Sequence, residues 1–270
     1  MRKVREFFKK SNYNLLLGSI LTGIMVLLIL IGLVFLPYDP ESMNSELKFA
    51  GISFTHPFGC DNFGRDIFTR VMVGAGTTLT VALGTVAIGA GVGILIGAFT
   101  GYFGGWLDEV MMRIIDALFA FPSILLALVV ISLLGSGKYQ VIAALGIAFI
   151  PSFARVVRSE YLKQREMDYV KNAKLMGCGN LRIMFVHILP NILPVLIPTT
   201  MIGFNNAVLA EAGMSYLGIG VQPPDASLGR MLSEAQTFLF SQPSYALFPG
   251  LMIVLLVLGI SLLADGLEKK

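Results

Sequence analysis

Asn14–Leu36 reads NLLLGSILTGIMVLLILIGLVFL, 23 residues without one charged side chain. A helix that crosses the bilayer needs about 20 largely apolar residues, because the hydrocarbon core is about 30 Å thick. The basic residues ahead of it (Arg2, Lys3, Arg5, Lys9 and Lys10) could imitate a secretory leader. The run is too long for a leader's apolar region, however, and no small-residue cleavage pattern precedes Pro37. It reads as a retained first span.

The rest of the chain continues the pattern. Of its 270 residues, 55% are hydrophobic and 14% charged, with a mean hydropathy of +0.77. Soluble domains carry roughly 25% charged residues, so there is too little polar surface here to face water. The expected fold class is an all-α membrane protein with about six transmembrane helices. A second span is expected near 77–100, inside the uncharged stretch Val71–Leu107. A third covers Ala117–Gly137, with Pro122 near its start, and a weaker fourth covers Tyr139–Ala154. The fifth is Ile188–Ala210, and the sixth begins at about 247 within Ala235–Ala264. Expected segments are thus an N-terminus at 1–13, a first helix at 14–36, an external loop at 37–70 and a transmembrane domain at 71–270.

Basic residues orient the spans. With the N-terminus inside, the five N-terminal cations, Arg113, seven between Arg155 and Arg182, and Lys269 and Lys270 make fifteen inside. Only Lys48, Arg65, Arg70, Lys138 and Arg230 fall outside. The positive-inside rule therefore places both termini in the cytoplasm. A net charge of +3, from 20 basic and 17 acidic residues, is too balanced to suggest nucleic acid. Cys60 and Cys178 fall on opposite sides and cannot pair.

Gly89, Gly93, Gly97 and Gly101 recur every four residues, which lets a neighbouring helix approach closely in lipid. Pro190, Pro194 and Pro198 also recur at four, so the start of span five is expected to be irregular. Chemical motifs fail on context. Gly135-Ser136-Gly137-Lys138 lacks the first glycine and the Ser/Thr of a phosphate-binding loop, and Gly89-x-Gly91-x-Gly93 lies within a span. His56 and His187 are far apart without a third ligand. Ionisable groups cluster at span ends; Arg113 and Asp116, three apart, are expected to pair. Glu211, at the outer end of span five, needs a partner such as Arg230 or a polar backbone cluster.

The segment at about 160–190 is basic and amphipathic. Met167, Val170 and Ala173 share one helical face, and Gly177-Cys178-Gly179-Asn180 forms a turn in which Gly177 ends one helix and Asn180 can cap the next. Leu181, Met184, Phe185 and Ile188 mark a second amphipathic helix, stopped by Pro190. A paired-helix ledge below the bilayer follows. It suits either anionic lipid or a soluble partner.

Ala173-x3-Gly177-x11-Leu189-Pro190 resembles the coupling-loop signature of permeases in ATP-driven, binding-protein-dependent importers. Lys171 and Asn172 depart from it, standing where an acidic or variable residue and alanine are usual. The stretch from His56 to Asp66 is similar to a signature of the C-type permease of oligopeptide, dipeptide and nickel ABC importers, with Cys60 at a usual threonine. Gly101–Asp108, Met112-Arg113-x2-Asp116, Phe121-Pro122, Ser215–Pro224 and Asp265-Gly266-Leu267 match as well, so the resemblance covers nearly the whole chain. It implies a type I importer permease fold in a bacterial or archaeal cytoplasmic membrane. The implied partners are a second related permease, two cytoplasmic ATPase subunits, an external solute-binding protein and membrane lipid. No catalytic residue, metal or cofactor is expected in this chain, since ATP and magnesium would sit on the ATPases. Lys171, Asn172, Ala173, Gly177, Leu189 and Pro190 are the implied coupling residues. Glu211, Gln222, Pro223 and Pro224 are the candidates for an external gate or binding-protein contact. Peptides are the expected cargo, with nickel or a metal chelate as the alternative. From a different class, an ion-coupled carrier or channel would need a polar midplane that the sequence does not offer.

Overall fold

The computed structural model describes residues 2–268, and side chains from Tyr13 onward apart from Leu33. Lys269, Lys270 and the five N-terminal basic side chains, all used to orient the chain, lie outside the described residues. Among those described, the elements are helices; the longest connection, residues 35–66, is irregular and ends in an isolated bridge between Cys60 and Asp66.

The first helix, α1 (Arg2–Val34), is followed by an irregular segment. Then comes α2 (Ile67–Phe103), 37 residues long and started by Asp66, whose carboxylate accepts from the Thr69 N–H at 2.7 Å. Such a cap satisfies one of the backbone donors left free in a first helical turn. The expected third span is not one straight helix. It is α3 (Gly105–Phe119) and α4 (Ser123–Leu134), bent by 91°. Pro122 causes the break, because a proline disfavours helical geometry in the residue before it and starts a new helix readily.

The weak fourth span, expected at Tyr139–Ala154, proves longer. It is α5 (Lys138–Gln164), which carries Arg155 and Arg158 within the helix. A short α6 (Asp168–Leu175) leads to α7 (Asn180–Tyr216), whose stretch Ile183–Ile188 is wound as a π-helix. The irregularity expected from the proline repeat thus lies just before Pro190. The last elements are α8 (Leu228–Ala235) and α9 (Pro243–Glu268). Five helices are long and apolar enough to cross a membrane, and the bent α3–α4 pair makes six.

The glycine stripe sets the closest packing. α2 and α5 run side by side in the same direction, with Gly89, Gly93, Gly97 and Gly101 facing Phe149, Phe153, Val157 and Tyr161 in order. A β-carbon on Gly93 would lie 2.6 Å from that of Phe153, and one on Gly97 2.6 Å from the Ala154 carbonyl oxygen. Only glycine permits this approach. α1 and α9 are antiparallel, with Gly18 against Leu262 and Leu263, and Gly266 against Leu15. The bundle therefore has two distinct ends. One carries α6 and the start of α7, called the ledge end; the other carries residues 37–66 and α8, called the cap end.

Candidate functional site

At the ledge end, α6 stops in a turn built on Gly177. Its φ of +78° suits glycine, because a side chain there crowds the backbone. The Cys178 N–H donates to the Ala173 carbonyl and the Gly177 N–H to that of Lys174, both at 3.0 Å. This pairing is a Schellman closure of the helix C-terminus. Asn172 contributes its carbonyl to the Met176 N–H at 2.9 Å, while Lys171 is exposed and lies 4.0 Å from Asp168. Leu189 donates its N–H to the Met184 carbonyl, closing the π-turn, and Pro190 is exposed.

Val170, Ile183, Met184 and Ile188 are buried against Ala98, Tyr102, Val157 and Tyr161. Leu181, expected on that face, is exposed, and Phe185 is half-buried, because the wider π-turn rotates Ile183 inward instead. Met167 caps α6 and is also exposed. Asn180 does not cap the next helix; its side-chain oxygen accepts from the Tyr102 hydroxyl at 2.9 Å. The Tyr161 hydroxyl donates to the Met184 carbonyl at 3.0 Å, and Arg165 to the Gly101 carbonyl at 3.2 Å. Burial pushes the Tyr169 phenol up. Beyond these anchors the tip is bare, with Leu175 85% and Met176 84% exposed.

Two ion pairs bind α3 to α5 beside the ledge. Arg158 grips Asp108 through two nitrogens, at 2.5 and 2.6 Å. Arg155 reaches Asp116 at 2.6 Å and lies over the Phe119 ring. The expected Arg113–Asp116 pair does not form, since Arg113 instead meets Glu109, one helical turn earlier.

Polar side chains at the cap end are buried. Asp61 accepts from the Arg65 Nε at 2.6 Å, and Glu234 accepts from Arg65, Arg70 and Tyr245 at 3.0, 3.1 and 2.9 Å. Burial works against the charge on Arg65, but Asp61 and Glu234 outweigh it and hold the guanidinium above its ordinary pKa. His56 Nδ1 lies 2.8 Å from Asp66. Arg230 pairs with Glu234, not with Glu211. Glu211, fully buried, accepts from the Thr78 hydroxyl at 2.8 Å and the Ser215 hydroxyl at 2.7 Å. Those hydroxyls in turn accept from the backbone N–H groups of Leu228 and Val221. One carboxylate thus ties α2, α7, the loop after it and α8.

Between these ends a cavity of about 810 Å³ opens among the α3–α4 elbow, α5 and α7. Its wall is apolar apart from Ser123, Ser152, Thr199 and Asn206, and no charged side chain lines it among the described residues.

Residues 93–270 match the family described as the binding-protein-dependent transport system inner membrane component. The chain belongs to that family. This permease is 38% identical to the dipeptide transport system permease protein DppC of Alkalihalophilus pseudofirmus, across 98% of this chain and 88% of that protein. It is 39% identical to the glutathione transport system permease protein GsiD of Escherichia coli, across 91% of this chain and 83% of that protein. In inward-facing MetNI, a methionine ABC transporter, one chain superposes with a TM-score of 0.61, covering 73% of this chain and 93% of that one. At 19% identity that likeness concerns the fold, an ABC importer permease fold.

Within this permease the six candidate coupling residues gather at the ledge. Gln222, Pro223 and Pro224 sit at the cap end, where the Gln222 amide donates to the Gly218 and Gly220 carbonyls. Glu211 lies beneath that loop rather than at its surface. Sequence reasoning missed the Asp61–Glu234 network, the cavity wall and the tyrosine anchors. A signal existed for the first alone: Asp61, Arg65, Arg70, Arg230 and Glu234 are ionisable groups beside apolar runs.

Proposed function

We propose that this chain is one of two related permeases in an ATP-driven importer, lining half of a translocation path for di- or oligopeptides. The ledge is read as facing the cytoplasm, with both termini, on the fifteen-to-five distribution of basic residues. Its exposed tip, Leu175 and Met176, would enter a groove on a cytoplasmic ATPase subunit, which would hold the ATP and magnesium. The cap would then face outward, where the Gln222-Pro223-Pro224 loop, braced from below by Glu211, would receive an external solute-binding protein.

The observation that carries this reading is the tip itself: large apolar side chains in water, on a turn whose other face is anchored to two spans. Exposed apolar groups of this kind mark protein contacts when they sit on an ordered frame. The cavity supports the cargo. Asn206 and Ser152 are exposed in the middle of long apolar helices, a position unfavourable against lipid and suited to a water-filled path shared with a second permease. An uncharged wall of hydroxyl, amide and aromatic groups suits peptide bonds of varied sequence, and the relatives named for dipeptide and glutathione transport agree with that class.

Purification in mild detergent tests both halves of the proposal. The wild-type chain should retain its ATPases, and Met176→Asp should lose them without unfolding. Vesicles carrying the whole complex should accumulate a labelled dipeptide only with ATP and the binding protein. A wild-type preparation without ATPases would overturn the reading.

A further inference from the structure

Tyr161 is fully buried, yet it carries a hydroxyl into the apolar cluster beneath the ledge. That hydroxyl has a single acceptor given by the geometry, the Met184 carbonyl at 3.0 Å. Met184 lies in the π-wound stretch of α7, and the same carbonyl already accepts the Leu189 N–H, five residues on. Two donors, one from α5 and one from α7 itself, therefore converge on the oxygen that defines the π-turn.

Apart from the Tyr169 hydroxyl, which donates to Gln164 at 2.8 Å, the other contacts between α5 and the ledge are of a different kind. Val157, Val170, Ile183 and Ile188 meet as apolar surfaces, which resist separation but have no directional preference and can slide. A hydrogen bond to the main chain has a fixed length and direction. It pins α5 to the Met184 carbonyl of α7 and so fixes their axial register at the π-turn. A π-turn also stores a ready mode of slip. Rewinding it to α geometry would shift one residue, about 1.5 Å of rise, and would require the Met184 carbonyl to exchange its five-residue partner for a four-residue one.

We infer that Tyr161 is a positioning residue for energy coupling: its hydroxyl holds the π-turn at Met184 so that movement of the ledge passes into α5 and α7 rather than being absorbed in the turn. This inference rests on the proposal that the ledge receives the ATPase, and it assigns the transmission step to a residue outside the exposed tip.

Tyr161→Phe keeps the ring and removes only the hydroxyl, so the apolar cluster stays filled. In vesicles bearing the full transporter, peptide accumulated per ATP hydrolysed should fall about three- to ten-fold, the range one lost hydrogen bond supports. Retention of the ATPases and their stimulation by the loaded binding protein should persist. Amide exchange across 183–189 should quicken in the same variant. Tyr139→Phe, at the opposite end of α5 and 77% exposed, should leave the ratio unchanged. A wild-type ratio in Tyr161→Phe would overturn the inference, and so would loss of the ATPases from that variant, which would make the residue a support for docking. Failure of the wild-type chain to retain ATPases would instead sink the coupling proposal beneath it.

Discussion

At the cap end, charged groups are buried and given several partners each; at the ledge end, large apolar groups are left exposed with none among the described residues. Arg70 is 2% exposed and shares Glu234 with Arg65 and Tyr245, whereas Leu175 and Met176 stand almost fully free. Burying a charge is costly unless its hydrogen bonds are replaced, so a cluster of this kind tolerates one geometry. The cap is therefore a fixed frame that joins residues 37–66, α2, α8 and α9. The ledge is fixed on its inner side, where Tyr102, Tyr161 and Arg165 anchor it, and its tip is unmatched by anything among the described residues. The difference separates substitutions that unfold an end from substitutions that disconnect one.

The largest effect is expected where a buried charge loses its partner. Glu234→Ala removes the carboxylate that Arg65 and Arg70 share and leaves Arg70 only Asp61, at 3.8 Å. Breaking a buried pair in this way costs about 3 kcal/mol. Denaturant titration in detergent should show a loss of that size, with proteolysis beginning in the cap. Glu109→Ala, which removes an ion pair exposed on both sides, should cost less than about 0.5 kcal/mol. Equal losses from the two variants would erase the distinction between the ends.

A smaller cost with a larger functional consequence is expected at Gly177. A β-carbon there would meet no atom within 4 Å, so crowding by neighbours plays no part. The penalty comes from the left-handed backbone, about 1–2 kcal/mol for an L-residue and worse when branched. Gly177→Val should therefore re-form the turn, displace the tip and reduce ATPase retention several-fold while the cap remains intact. Gly177→Asn, which tolerates that backbone, should recover most of the loss. Full retention by the valine variant would show that the tip does not depend on the turn.

What the sequence made legible was local. The spans follow from uncharged runs, the close-packed face of α2 from glycines four apart, and the ledge turn from Gly177. What it concealed was tertiary. Arg113 and Asp116 have spacing suited to pairing, but Arg155 on another helix reaches Asp116 first and leaves Glu109 for Arg113. Pro122 was visible, yet nothing local distinguishes a kink from a right-angle break between two short helices. Leu181 sat on the expected buried face only if the helix kept α geometry, and the π-turn changed that phase. The cavity could not be read at all, because its wall is assembled from four helices whose lining residues are individually unremarkable.

The two cysteines supply the mildest test, since each reports on one end without substitution of its surroundings. Cys60 lies in the cap, 2% exposed, near enough to Asp61 and Asp66 to feel both charges. Burial first, then the two negative charges, push its thiol up from 9.0 to about 11. Thiolate is the reactive form, so Cys60 should resist an impermeant maleimide at pH 8 even in open membranes. Cys178 is half-exposed on the ledge turn and should react, but only after permeabilisation if the ledge faces the cytoplasm. The sign of the pH dependence follows from the raised value. Below pH 9 both folded and unfolded chains hold the proton, and the cap keeps its full stability from this group. Between 9 and about 11 the unfolded chain releases it first, so stability is lost as pH rises. Labelling of Cys60 should accordingly begin only in that window, and Glu234→Ala should bring it down towards neutral pH by opening the cap. Prompt labelling of wild-type Cys60 at pH 8 would mean that the cap opens as freely as the ledge tip, and the contrast between the two ends would fail.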